Sequence, residues 1–137
     1  MIDILLEMKD AGAITADAAA QVGGSNKIID LGEGFVEGNL LIDVSAIDFT
    51  TGDETYDLIF QLSSKSDFAT VIANKIKIQY GDARGGSNDL DQNFVGREVV
   101  PFNNEHQGVI YQFARMFTDV GGTTPSINYT ANLTKQT

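Results

Sequence analysis

The chain's one histidine, His106, lies in Asn103-Asn104-Glu105-His106-Gln107-Gly108, a polar stretch between two apolar ones. A histidine acting as general base needs a nucleophile within hydrogen-bond reach. The sequence supplies no cysteine and no serine in a nucleophile-elbow setting, so His106 reads as a surface-loop residue. Oxygen ligation is the second candidate. Asn88, Asp89, Asp91 and Asn93 in Gly86-Ser87-Asn88-Asp89-Leu90-Asp91-Gln92-Asn93 are hard donors of the kind Ca²⁺ prefers. Their spacing lacks the glycine and the closing glutamate of an EF-hand loop, so the segment reads as a solvated Asp/Asn loop and no metal is assigned. Asp53 and Glu54 stand side by side on a turn and read as a solvated tip. A glycosidase needs two carboxylates facing one cleft, and nothing selects a pair among the 19 acids. The glycine-rich segments follow no strand-to-helix pattern, which argues against a phosphate loop. No catalytic residue and no cofactor is expected, and so neither is a small-molecule substrate.

Whatever the chain does must then rest on shape and contact. Its 137 residues suit one domain, and a hydrophobic fraction of 42% provides for one core. The net charge of −10 disfavours nucleic acid, which calls for a basic face to displace counterions. An anionic membrane surface is disfavoured on the same ground, and no apolar run approaches the length of a membrane span. The opening Met1-Ile2-Asp3-Ile4-Leu5-Leu6-Glu7 is broken by acids and has no basic start, unlike a secretory signal.

Residues 1–20 differ from the rest. Ala11 to Ala20 is small and alanine-rich, without the bulky stripe of a core helix. It reads as an N-terminal arm suited to lying on a neighbour. The other readings are that the terminus is frayed and that these residues complete the molecule's own sheet. After the Gly23-Gly24-Ser25-Asn26 turn the period changes to two. Leu40, Ile42, Val44 and Ala46 alternate with Leu41, Asp43 and Ser45; Tyr56, Leu58, Phe60 and Leu62 alternate with Asp57, Ile59 and Gln61. Ile76, Ile78 and Tyr80 follow the same rule, as do Ile127, Tyr129, Ala131 and Leu133. Val109, Tyr111, Phe113 and Phe117 fall on one face, with Gln112, Ala114 and Thr118 on the other. Successive strand side chains point to opposite faces, so this pattern describes strands with one buried face. Turns at 48–54, 81–88 and 121–125 separate them. The expectation is an all-β antiparallel sandwich, jelly-roll-like, spanning 21–137 behind a 1–20 arm. The 81–93 segment reads as an exposed loop of the sort that carries contacts.

Three stretches resemble the small jelly-roll capsid cement (decoration) proteins of tailed bacteriophages. They are Asp10-Ala11-Gly12-Ala13-Ile14-Thr15-Ala16 with Ile28-Ile29-Asp30-Leu31-Gly32; Leu40 to Val44 through Phe49-Thr50-Thr51-Gly52 to Phe60 through Phe68; and Tyr111 to Phe117 with the 121–125 turn and the strand to Leu133. The 81–93 stretch is longer and more acidic than the family pattern, and the chain stops soon after its last strand. The resemblance implies a structural virion protein, made in the bacterial host cytoplasm and mounted on the outer capsid surface. Its partners would be the major capsid protein and itself, as a homotrimer bridging capsomers against internal pressure. On that reading Ile2, Ile4, Leu5 and Leu6 are candidate capsid or subunit contacts in the arm, and Asp89 and Asp91 in the loop. The alternative is a carbohydrate- or receptor-binding sandwich of a phage fibre or adhesin. The absence of tryptophan counts against it, since such modules stack sugar rings on exposed aromatics.

Overall fold

Alternation of period two builds strands along nearly the whole chain. The computed structural model describes residues 3–48, 50–81 and 95–136. In order these form β1 (Asp3–Lys9), β2 (Ala13–Ile14), β3 (Ala18–Ala19), β4 (Gln21–Val22), β5 (Ser25–Asn26), β6 (Ile29–Asp30) and β7 (Glu37–Ile47). There follow β8 (Thr55–Ser63), β9 (Ile72–Tyr80), β10 (Gly96–Asn103), β11 (Glu105–His106), β12 (Val109–Ile110), β13 (Phe113–Gly121) and β14 (Ile127–Gln136). One antiparallel sheet has the order β1-β14-β7-β10, with β2 also on β14. The other has the order β3-β13-β8-β9, with β6 also on β13.

The pairings are nested in sequence: β8 with β9, β7 with β10, β3 and β6 with β13, β1 with β14. The chain is thus one long antiparallel ribbon doubled back at residues 64–71. It is rolled so that β14 also meets β7 and β13 also meets β8. This is the connectivity of a jelly roll. Rolling gathers the connections 31–36, 64–71 and 104–112 at one end of the sandwich, and 48–54 and 122–126 at the other.

Between the sheets, Leu40, Ile42 and Val44 of β7 and Ile127, Tyr129, Ala131 and Leu133 of β14 face Tyr56, Leu58, Phe60 and Leu62 of β8, all buried. Phe60 and Phe102 meet edge-to-face across the core at 5.4 Å. The Tyr129 hydroxyl shares a 2.6 Å hydrogen bond with the Thr118 hydroxyl, and both are buried. Burial pushes the Tyr129 phenol far above its ordinary value.

Strand β13 differs from the sequence reading. Its core face is Ala114, Met116 and Thr118, fully buried, while Phe113 and Phe117 sit half-buried on the outer face. The register supplies the reason. Ala114, Met116 and Thr118 lie opposite Leu62, Phe60 and Leu58, where bulky neighbours leave room for small or slender side chains.

The arm reading also gives way, and residues 3–20 join the sandwich. Strand β1 pairs with β14, β2 with β14 and β3 with β13. The segment therefore passes along the sandwich edge from one sheet to the other. Small alanines permit that close approach, and Val120 N–H donates to the Asp17 carboxylate at 2.8 Å to fix it.

Candidate functional site

The sequence candidates disperse. His106 stands on the β11–β12 hairpin opposite Val109. Ile4 and Leu5 occupy β1 opposite Lys135 and Thr134. Leu6, opposite Leu133, packs half-buried against the molecule's own core. Ile2, Asp89 and Asp91 lie outside the described residues, as do Asn88, Asn93 and all but Gly81 of the 81–93 segment. Among the described residues no three His, Cys, Asp or Glu side chains are grouped to hold a metal ion.

Of the turn pair, Asp53 is exposed as a solvated tip requires, but Glu54 is not. Glu54 is fully buried and its carboxylate accepts the backbone N–H of Thr51 (3.2 Å) and Gly52 (3.0 Å) and the Thr51 hydroxyl. Asp53 crosses to the next connection, accepting the Thr123 hydroxyl at 2.6 Å and its N–H at 3.1 Å. The turns approach so closely that a Cβ on Gly122 (φ 104°) would lie 2.6 Å from the Asp53 carbonyl oxygen. Both acids are spent on backbone and hydroxyl donors, which is structural work.

The Thr123 hydroxyl and N–H hold the Asp53 carboxyl below its ordinary value of 3.8. A depressed folded value means that this contribution is present above the unfolded pKa and lost as pH falls through the folded one. Asp53→Asn should therefore flatten the acid limb of the stability curve below about pH 4. Thermal melts of both proteins from neutral to acid pH check this; parallel curves would show that Asp53 is not the latch.

Lys9 is the second buried charge, 2% exposed. Its Nζ donates to the carbonyl oxygens of Tyr129 (2.7 Å), Asp10 (3.0 Å) and Gly12 (3.1 Å), and lies 4.5 Å from the Tyr129 ring centroid. Burial lowers the ammonium from its ordinary value, the nearby Asp10 charge opposing that. With its three donors occupied, Lys9 is an anchor rather than a reactive amine. It lines a cleft of about 370 Å³ walled mainly by Ala13, Ile14, Ala18 and Ala19.

A polar cleft of about 460 Å³ opens beside the start of β7, lined by Glu37, Asn39, Asn103, Thr134 and Lys75. The Lys75 ammonium is turned to the Glu105 carbonyl oxygen at 2.7 Å.

The end that gathers 31–36, 64–71 and 104–112 has a different character. Asn104, fully buried, ties two of these connections, 31–36 and 104–112, to each other. Its Oδ1 accepts Val36 N–H at 2.8 Å, and its Nδ2 donates to the carbonyls of Gly34 and Tyr111, each at 2.9 Å. At this end Phe35, Val71, Ile72, Val109 and Ile110 are each at least 43% exposed. The same end holds three non-glycine residues in the left-handed region: Phe68 (φ 52°), Val71 (φ 54°) and Gln107 (φ 53°). A β-branched residue there is a genuine outlier, and such strain persists only where surrounding structure enforces it. Exposed apolar side chains held on strained, well-braced loops are the features of a contact surface.

The outer faces of the two sheets also contrast. Beyond β7 and β14 lie Asn39, Asp43, Thr130, Asn132 and Thr134, and Arg97 closes a two-pronged pair on Asp43 at 2.8 and 2.9 Å. Beyond β13 and β8 lie Phe113, Phe117 and Ile59, with Arg115 among them. Sequence reading divides Phe113 and Phe117 from Ala114 and Thr118 as the structure does, and it is the smaller set that faces the core. No protein-family model, curated protein or solved structure matches this chain.

Proposed function

We propose that this chain is a structural virion protein, a capsid cement (decoration) protein. In that role it clamps neighbouring major capsid proteins on the outer shell, as a homotrimer, and holds the shell against internal pressure. A jelly roll by itself assigns no function. The observation that carries the reading is the apolar end: Phe35, Val71, Ile72, Val109 and Ile110 are exposed together there, and Asn104 braces the two connections that carry Phe35, Val109 and Ile110. A clamp works by burying surface that must be exposed again before subunits separate, so contact area is its whole mechanism. The contact assigned to the N-terminal arm passes to this end, because residues 3–20 are committed to the chain's own sheets.

One observation favours a second reading, a carbohydrate-binding module. The 460 Å³ cleft offers Glu37, Asn39, Asn103 and Thr134 as hydrogen-bonding groups of the type a sugar takes.

Light scattering at micromolar concentration separates the two. The intact chain is expected at three times its 14.8 kDa mass, and a Val109→Asp/Ile110→Asp variant at the one-chain mass, with its fold checked by circular dichroism. A monomeric intact chain that binds oligosaccharides, and loses them on Asn39→Ala, would reverse the order of the two readings.

A further inference from the structure

We infer that Arg115, on the outer face of the β13-β8-β9 sheet, is a receptor for a carboxylate side chain presented by an acidic segment of a protein partner. The inference rests on the reading of this chain as a contact module and names the chemistry of what it contacts.

Residues opposite one another on adjacent strands share a face, so the register lays out this surface in rows. Asp30, Phe113, Ser63 and Ile72 form the row nearest the apolar end; Arg115, Gln61 and Asn74 form the next; Ala19, Phe117, Ile59 and Lys77 form the third. Asp119, Asp57 and Gln79 lie one row beyond. Arg115 thus stands between Phe113 and Phe117 on its own strand, while the Asp30 carboxylate of the neighbouring row is taken by the Gly32 N–H at 2.9 Å and the Gln112 side-chain amide at 3.1 Å.

Its guanidinium is held from several sides. Nε donates to Gln61 Oε1 at 2.8 Å, and Gln61 Nε2 donates onward to Asn74 Oδ1 at 3.0 Å. The guanidinium carbon lies 4.5 Å from the Phe68 ring centroid and 5.4 Å from that of Phe117. Phe68 belongs to the 64–71 connection yet is only 4% exposed. The connection folds back over the sheet through Phe68 N–H to the Lys65 carbonyl (3.2 Å) and Ser63 Oγ to the Thr70 carbonyl (3.3 Å). Its left-handed Phe68 is backbone strain located where a ring is laid on a cation.

What the guanidinium lacks is an acid. Among the described residues no carboxylate pairs with it, although the chain carries 19 acidic and 9 basic side chains. Burial alone pulls Arg115 below the ordinary arginine value, with no neighbouring acid raising it. Arg97, far more exposed, has its acid in Asp43. A planar fork whose Nε is already fixed, between aromatic walls, is pre-organised to take a carboxylate through its terminal nitrogens. The apolar side chains of Phe113, Ile72, Phe117 and Ile59 on either side favour a peptide segment over a free anion, and Lys77 adds a second cation on the same face.

The test is a ¹⁵N NMR titration of the intact chain with three probes: an acetylated, amidated Ala–Glu–Ala peptide, its Ala–Gln–Ala counterpart, and inorganic phosphate. The glutamate peptide should shift the Arg115 Nε–H and the Gln61 side-chain amide saturably, and the glutamine peptide should not. Arg115→Gln should weaken the glutamate peptide by about tenfold or more, the loss expected for one charge-assisted contact. Phe68→Ala should weaken it less, and unchanged amide shifts in β1 and β14 show that each variant is folded. Equal binding of the two peptides, no saturable shift, or undiminished binding to folded Arg115→Gln would overturn the assignment. Phosphate bound more tightly than the glutamate peptide would identify a free anion as the ligand and overturn it too. The readout requires neither a shell nor a trimer, so its failure is distinct from failure of the cement reading.

Discussion

Gly38→Ala is expected to cost about 3 kcal/mol or more, lowering the melting temperature by on the order of 10 °C. Gly38 lies on β7 with Lys135 of β14 opposite on one side and Phe102 of β10 on the other. A Cβ there would stand 1.8 Å from the Thr134 carbonyl oxygen and 2.8 Å from its carbon. Both are backbone atoms in a paired strand, so relief requires β14 to shift and not merely a side chain to turn. The Phe102 ring, 3.1 Å from the same point, blocks the other side. Truncating that ring should not rescue the variant, since the closest clash remains. Gly12→Ala is the control: nothing lies within 4 Å of its Cβ position, so its effect should stay within about 0.5 kcal/mol. Denaturant unfolding of both variants checks the pair, and equal stabilities would mean that β7 and β14 are not so closely apposed.

Lys9→Met should cost about 2–4 kcal/mol while keeping nearly the same side-chain volume. The ammonium serves three carbonyls, of Tyr129, Asp10 and Gly12. The register of β1 shifts between Glu7 and Lys9, and that of β14 between Asn128 and Tyr129. Bulges disrupt the ladder locally and leave backbone groups to be satisfied some other way. Lys9 supplies the donor on the buried side. Its loss strands the Tyr129 carbonyl and releases the turn that carries residues 10–14 toward β3. Hydrogen exchange should accordingly speed up first in residues 10–20, ahead of β7 and β8. A loss under about 0.5 kcal/mol with unchanged exchange would show that water can replace the ammonium there.

The two substitutions also mark where sequence reading stops. The alternation of Leu40, Ile42 and Val44, and of Tyr56, Leu58, Phe60 and Leu62, predicts β7 and β8 with the correct faces inward. It does so because a bulky apolar residue at every second position has only one place to go. The Gly23-Gly24 turn predicts the join between β4 and β5. On β13 the same logic inverts, because both faces of the strand are partly covered. Ile59, Gln61 and Ser63 on the outer face of β8 are as buried as their inward neighbours. Phe113 and Phe117 therefore had two places to go, and register, which a single sequence does not encode locally, decided it. The alanines of 11–20 carried no stripe to read; they form edge strands because small side chains let the backbone approach β13 and β14. Asn104 and Glu54 were illegible for a different reason. A buried polar side chain is defined by its partners: those of Asn104 come largely from a connection distant in sequence, and those of Glu54 from its own turn, whose backbone must fold inward around the carboxylate first.

The measurement closest to the central claim is co-sedimentation with expanded bacteriophage shells assembled from the major capsid protein that the cement reading requires as partner. The cement reading predicts that the intact chain pellets with the shells and saturates them, that the shells then withstand more heat before rupture, and that Val109→Asp/Ile110→Asp stays in the supernatant. An intact chain that remains in the supernatant at saturating shell concentration, or shells no more heat-resistant with it bound, would contradict that reading.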